Sequence, residues 1–241
     1  VNFATNNTGG TTSYAWTNNT TAIGLAANGT GNIASFTAVN AGTAPVTATV
    51  TVTPTFTNAS VGCSGTAQTF TMIVNPTAQV ARPADQTVCI NATVSQVFST
   101  SNTGGTTTYA WTNDNTASGL AASGTGNINT FFATNTGTSP IVSTVVVTPT
   151  FTNAGVSCTG PSKTFFITVN PSGQVNDPAD QVLCNNSSTA AVNFTTNNTG
   201  GTTTYAWTND NTSIGLAASG TGDIASFTAV NTGTTPVTAT I

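Results

Sequence analysis

The chain has 241 residues, of which only 3% are charged: two are Lys or Arg, six are Asp or Glu, and none is His. Nucleic-acid binding relies on clustered Lys and Arg, and Arg82 and Lys163 stand alone, so that class of function is excluded. No apolar run approaches the roughly 20 residues that a membrane-spanning helix requires. The sequence therefore predicts no insertion into a membrane.

The strongest pattern in the sequence is a long-period repeat. Tyr-Ala-Trp occurs three times, ending at Trp16, Trp111 and Trp207, and a Gly-Gly pair precedes each occurrence. The period of about 95 residues suits an independent domain, since the units of solenoid proteins run roughly 20 to 45 residues.

Proline at Asn75-Pro76 and Asn170-Pro171 marks the boundaries between repeats, because proline ends strands and stiffens a junction. We therefore expect unit 1 (1–76) to be incomplete at its N-terminal side, unit 2 (77–171) to be complete, and unit 3 (172–241) to be incomplete at its C-terminal side.

Strands are predicted where Thr alternates with apolar residues, the period of a strand with one buried face. The run from Val46 to Thr57 alternates without a break, and its counterpart from Ile141 to Thr152 does so loosely. Further strands are predicted in unit 2 at 94–100, 106–112, 128–134 and 164–169. No window shows helical spacing. About seven short strands per unit predict an all-β fold, with tandem Greek-key β-sandwich domains of immunoglobulin type in a linear array.

Trp16, Trp111 and Trp207 are predicted to be core residues, because a tryptophan that recurs once per unit on one strand usually fills the core. The alternative is an exposed platform on which a sugar stacks.

Each full unit carries two cysteines. Cys89 falls on the first predicted strand and Cys158 just before the last, and first and last strands often lie side by side in sandwiches. We therefore predict a Cys89–Cys158 disulfide, which implies an oxidising compartment. The competing connectivity joins Cys63 to Cys89 and Cys158 to Cys184 across the junctions.

Side chains able to perform catalysis are almost absent. General acid–base chemistry usually uses His, Lys or a tuned carboxylate, and the chain has no His and no Glu. We expect no catalytic residues, no cofactor and no enzymatic activity, so that catalysis in a parent protein would come from another region. Asp114 and Asp210 lie in an Asn-Asp-Asn loop and are predicted to form turns.

Asp85, Asp177 and Asp180 follow the two junctions, where calcium held by carboxylates and carbonyls could stiffen the joint. Two or three carboxylates per joint are sparse for calcium, so the prediction is that no metal binds.

Three motifs carry a family resemblance: Gly-Gly-Thr-Thr-Thr-Tyr-Ala-Trp-Thr-Asn-Asp-Asn at 104–115 and 200–211, Gly-Leu-Ala-Ala-Ser-Gly-Thr-Gly at 119–126, and Phe-Phe-Ile-Thr-Val-Asn-Pro at 165–171. With them the chain resembles the PKD-like repeats of very large secreted proteins of Bacteroidota, similar to gliding-motility adhesins exported by the type IX secretion system. The resemblance covers all three units. It departs from the better-known PKD pattern, in which Trp-Asp-Phe-Gly-Asp-Gly stands where Trp111 is followed by Thr-Asn-Asp-Asn.

The resemblance implies an extracellular, cell-surface location and a structural role in a long adhesin or filament. Expected partners are a surface polysaccharide or another extracellular ligand, bound by other parts of the parent protein, and the cell-surface motility or secretion machinery. Lateral self-association through exposed Thr faces is a further expectation. The alternative function is a carbohydrate-binding repeat array, whose avidity would multiply along the chain.

Overall fold

The computed structural model describes all residues from Val1 to Ile241 and shows an all-β protein with several sheets. The only helical segments are three single turns of 3₁₀ helix, at Thr21–Ile23, Thr116–Ser118 and Thr212–Ile214. None of them has the length or the apolar character that a bilayer-spanning helix needs. Every strand pairing stays within 1–76, 77–171 or 172–241.

Unit 1 forms one five-stranded sheet. Its strands are β1 (Thr11–Asn18), β2 (Asn28–Thr30), β3 (Val46–Asn58), β4 (Val61–Ser64) and β5 (Gln68–Val74). They lie in the order β2-β1-β3-β4, and β5 also pairs with β3. The long strand β3 is therefore the centre of the sheet.

Unit 2 forms a six-stranded sheet and a separate two-stranded pair. Its strands are β6 (Gln86–Cys89), β7 (Thr93–Gln96), β8 (Thr106–Asn113), β9 (Ser123–Thr125), β10 (Ile128–Phe132), β11 (Ile141–Asn153), β12 (Val156–Thr159) and β13 (Lys163–Asn170). The large sheet has the order β6-β13-β11-β8-β9, with β12 paired to β11, and β10 pairs with β7. The first strand β6 runs parallel to the last strand β13, so these two lie side by side as expected.

Unit 3 repeats the same elements in part. It contains β14 (Ala206–Thr208) paired with β15 (Ser219–Thr221), which correspond to β8 and β9. Two isolated bridges, Ser188 with Thr228 and Val192 with Ile224, stand where β7 and β10 pair in unit 2. Residues 172–241 contain no counterpart of the second half of β11, nor of β12 and β13.

The core of unit 2 lies between the large sheet and the β7–β10 pair. Twelve buried residues form it, including Val94 from β7, Ile128 from β10, and Val145 and Val147 from β11. The strand β11 buries every second residue, because its alternate side chains point to opposite faces of the sheet. The loose alternation in the sequence thus agrees with one buried face, although that face includes the polar Ser143 and the apolar Val142 on the other face is 48% exposed.

Each tryptophan packs against a glycine on the neighbouring strand. Trp16 and Trp111 are both 7% exposed and belong to the cores of units 1 and 2, whereas Trp207 is half-buried because unit 3 has no strand in the place of β11. Trp111 faces Gly124 across the β8–β9 ladder, and a Cβ on Gly124 would overlap the indole ring. The Gly-Thr-Gly motif therefore supplies the space that the indole needs.

Candidate functional site at the joints between units

The carboxylate of Asp85 has a structural role in the sheet. One of its oxygens accepts hydrogen bonds from the backbone N–H of Phe166, at 2.9 Å, and from the guanidinium of Arg82, at 2.7 Å. These contacts tie the segment before β6 to β13. The bond from the Phe166 N–H, followed by the Arg82 contact, lowers the pKa of Asp85 below its usual 3.8.

The structure does not assemble the calcium candidates into a site. Asp85 forms an ion pair with Arg82. In unit 3 the position that corresponds to Arg82 is occupied by Asp177, which lies three residues before Asp180. No cluster of three or more Asp, Glu, His or Cys side chains occurs in the chain. Asp85, Asp177 and Asp180 are therefore not part of a cluster of three or more such side chains.

Asp114 fastens a loop to β11, a role that the prediction of a simple turn did not include. Its carboxylate accepts the backbone N–H of Thr144 at 2.7 Å, and this bond lowers the pKa of Asp114 below 3.8. Asp210 accepts the N–H of Thr240 in the same way, and in unit 1 the side-chain oxygen of Asn19 replaces the carboxylate. Asp and Asn interchange here because the position needs only an acceptor.

The free energy of unfolding is expected to fall in acid. Because the chain has no His, we expect no change in stability from histidine titration near neutral pH. Asp85 and Asp114 have lowered pKa values in the folded state, so their contribution is present above about 3.8 and is lost as the pH falls through the folded values. The urea midpoint should be similar at pH 7 and pH 5 and lower at pH 3.

Asp114→Asn provides the matched control, because Asn19 already makes the equivalent bond in unit 1. The variant should lose less stability between pH 5 and pH 3 than the native chain does. An equal acid loss in both proteins, or identical midpoints at pH 3 and pH 7, would contradict this role.

The predicted Cys89–Cys158 disulfide is wrong for this structure, and both residues are free thiols. Cys89 lies beside Asn170 at the end of β13, next to the start of β11 at Ile141. Cys158 lies opposite Phe151, near the other end of β11. The two ends are about 33 Å apart at about 3.3 Å per residue, whereas a disulfide needs Cα atoms within about 7 Å.

The register explains the error. First and last strands are neighbours as expected, but Cys158 is on β12, which pairs with β11 at the end far from Cys89. We call the end of a unit that meets the preceding unit its leading end, and the end that meets the following unit its trailing end. Cys158 is then at the leading end of unit 2 and Cys89 at its trailing end.

The joint between units 1 and 2 is closed by a buried amide. Asn102, which is 9% exposed, donates to the carbonyls of Thr43 at 3.4 Å and Thr77 at 3.1 Å. Its side-chain oxygen accepts the backbone N–H of Gln79 at 2.6 Å. One side chain of unit 2 therefore holds both a loop of unit 1 and the linker. The Thr103 N–H also donates to Thr43 at 2.9 Å.

A second amide pair closes the other side of this joint. Asn75 donates to the carbonyls of Asn153 and Val156, at 3.1 and 3.2 Å, and Asn153 donates back to the Asn75 side-chain oxygen at 3.0 Å. These residues connect the last turn of unit 1 to the β11–β12 hairpin. Gly160, just beyond that hairpin, lies so close to Ala78 that a Cβ would overlap the Ala78 carbonyl.

The joint between units 2 and 3 repeats part of this set of contacts. Thr199 donates its N–H to the carbonyl of Thr138 at 2.8 Å, as Thr103 does to Thr43. Asn198 takes the place of Asn102 and donates to the carbonyl of Ser172 at 2.7 Å. Pro140 packs on Gly200 as Pro45 packs on Gly104. Two successive joints thus share these three contacts.

The second joint has fewer contacts than the first. The side-chain oxygen of Asn198 is buried without a donor, whereas that of Asn102 binds the linker. The linker of unit 3 is also more exposed, with Val175 54% and Val182 97% accessible. Val182 corresponds to Thr87 of β6, which pairs with β13 in unit 2, and unit 3 offers no such strand.

Comparison with known proteins places the chain in no family. No protein-family model matches it, and no curated protein matches it. What the chain does must therefore be argued from its own geometry.

Sequence reasoning missed the joint residues, although a signal was present. Asn-Thr-Gly-Gly begins at Asn7, Asn102 and Asn198, once in each unit. The repeated glycines indicate a turn, but nothing local in the sequence assigns a role to the asparagine before them. The side chains that make the contacts across the joints are amides and prolines, which suits them to holding neighbouring units together.

Proposed function

We propose that this chain is a structural segment of a long secreted adhesin or filament, in which sandwich units of immunoglobulin or PKD-like type follow one another and extend a binding tip from the cell surface. The observation that carries the proposal is the repeated joint. Asn102 and Asn198 bind corresponding linker carbonyls, and Thr103 and Thr199 bind corresponding loop carbonyls, so each added unit repeats a similar step from the one before.

The chemistry of the surface supports a passive role. Charged residues make up 3% of the chain, and the one ion pair, between Arg82 and Asp85, is exposed. Exposed ion pairs contribute little stability and weaken with salt. The joints depend on neutral amides instead, and their geometry is therefore insensitive to ionic strength, which suits a fibre outside the cell.

The carbohydrate-binding alternative uses either exposed aromatic residues that recur along the array or Asn-rich loops, and the aromatic form has little support. Trp16 and Trp111 are buried and cannot stack on a sugar. Phe132 and Phe166 are exposed in unit 2, but Thr37 and Thr71 occupy these positions in unit 1. The exposed aromatic residues of unit 2 are therefore not repeated in unit 1, as binding by avidity through aromatic sites would require.

The proposal is tested on cells of the source organism with an antibody raised against the chain. Immunogold should label fibres on intact, unpermeabilised cells, and brief external protease treatment should remove the label. Labelling confined to permeabilised cells would overturn the proposal. A glycan array probed with the chain tests the alternative, for which we expect no specific binding.

A further inference from the structure

The four cysteines lie at the ends of units, and unit 2 carries a different cysteine at each of its two ends. Cys89 is exposed at the trailing end of unit 2, beside Asn170. Cys158 is at the leading end of the same unit, in the β11–β12 hairpin. Cys184 and Cys63 are the counterparts of Cys89 and Cys158 in units 3 and 1.

The joint brings these two kinds of end together. Asn75, the counterpart of Asn170, donates to the carbonyls of Asn153 and Val156 in the following unit. Strand neighbours such as Cys89 and Asn170 lie about 5 Å apart, and residues two positions apart on a strand, such as Val156 and Cys158, lie about 7 Å apart. The positions equivalent to Cys89 and Cys158 are therefore each within one or two residues of the same hydrogen-bonded contact.

Side-chain direction is compatible with a bond across the joint. In β6 the side chain of Val88 is turned toward the core, and that of the next residue, Cys89, is exposed on the outer face. In the parallel ladder Cys89 shares this face with Asn170. The counterpart Asn75 uses the same face to reach the neighbouring hairpin.

We propose that a disulfide crosses the joint wherever a unit that carries the Cys89 strand is followed by a unit that carries the Cys158 hairpin. The bond joins the trailing-end cysteine of one unit to the leading-end cysteine of the next. It differs from a bond within a unit and from the pairs Cys63–Cys89 and Cys158–Cys184, each of which would connect a leading end with a distant trailing end.

Neither joint of this chain contains both members of the pair. Cys63 is the only cysteine in 1–76 and Cys184 the only one in 172–241. Within 1–241, the first joint therefore contains Cys158 and the second contains Cys89, each as the only one of the pair.

The oxidation needs a disulfide oxidant such as oxidised glutathione. One thiolate attacks it, releases one reduced glutathione and forms a mixed disulfide; the second thiolate displaces the other glutathione and forms the S–S bond. Two thiol protons and two electrons leave the protein in total. The product fastens the edge strand β6 to the next unit and so prevents the joint from opening.

The test uses the full chain with its complete unit duplicated, so that 1–171 is followed by 77–241. The middle joint then contains Cys89 of the first copy and Cys158 of the second. After dilute incubation in a glutathione redox buffer, the folded monomer should lose two hydrogen masses and keep four of six thiols reactive to iodoacetamide. The original chain, treated alike, should keep all four thiols.

The two copies provide a matched control. Cys89→Ser in the first copy should abolish the bond, whereas the identical substitution in the second copy should leave it intact. Circular dichroism under reducing conditions checks that both variants fold. Six reactive thiols in the folded duplicated chain, a bond that survives the first-copy substitution, or a Cys63–Cys89 bond in either chain would overturn the proposal. Since the assay does not depend on location, its failure would leave the proposed function standing.

Discussion

Trp111→Ala is expected to lower the unfolding free energy of unit 2 by about 3–5 kcal/mol, the usual cost of truncating a buried Trp or Phe. Trp111 belongs to the buried core and packs against Gly124 on the adjacent strand. The substitution would leave a cavity between β8 and β9 that the sheet cannot close, because the paired backbones hold the strands apart.

Hydrogen exchange followed by mass spectrometry is the suitable measurement, because a chain of several units need not unfold in one step. Peptides of unit 2 should lose protection while those of unit 1 keep it. Phe132→Ala is the control: this residue is 67% exposed, and surface substitutions usually change stability by at most about 0.5 kcal/mol. Equal effects of the two substitutions would show that Trp111 is not the centre of the core.

Gly160→Ala is expected to loosen the first joint while both units remain folded. The added Cβ would overlap the carbonyl oxygen of Ala78, which belongs to the linker backbone and cannot rotate away. Overpacking of this kind costs about 1–3 kcal/mol, and the linker can relieve it by leaving the hairpin. The N–H of Gln79, bonded to Asn102 at 2.6 Å, would then lose its partner.

Amide exchange at Gln79 should accelerate roughly 5- to 150-fold, since 1.4 kcal/mol corresponds to a tenfold change. Gly173→Ala in the second linker is the matched control, because a Cβ there would meet no atom within 4 Å. The close linker contact would be contradicted if the exchange rate at Gln79 were unchanged in the Gly160→Ala variant. It would also be contradicted if the Gly173→Ala variant showed an equal acceleration at Gln79.

Local patterns predicted the strands well. The alternating run predicted at 46–57 is β3 (Val46–Asn58), and 164–169 is contained in β13 (Lys163–Asn170). These strand predictions are correct because a strand with one buried face imposes a two-residue period on the sequence. The predicted strands at 94–100 and 128–134 are shorter in the structure, ending at Gln96 and Phe132, where the chain leaves the two-stranded pair.

Long-range relations could not be predicted from the sequence. The cysteine pairing failed because it depends on which end of β11 each neighbouring strand meets, and that register leaves no local pattern. The role of Asn102 depends on how two units are oriented, since its partners Thr43 and Thr77 come from another part of the chain. The acceptor role of Asp114 depends likewise on a distant backbone N–H, that of Thr144.

The central claim is that successive units repeat one rigid joint, and the native cysteines allow it to be measured directly. Cys63 with Cys158, and Cys89 with Cys184, are corresponding positions in neighbouring units. Spin labels on one pair at a time, with the other two cysteines replaced by serine, report the step across each joint by double electron–electron resonance. We expect the same mean for both pairs, about 40 Å for units spanned by strands of this length. The distribution should be narrow for Cys63 with Cys158 and wider for Cys89 with Cys184, because no neighbouring strand holds the segment at Cys184. A broad distribution for Cys63 with Cys158, or two clearly different means, would contradict the account.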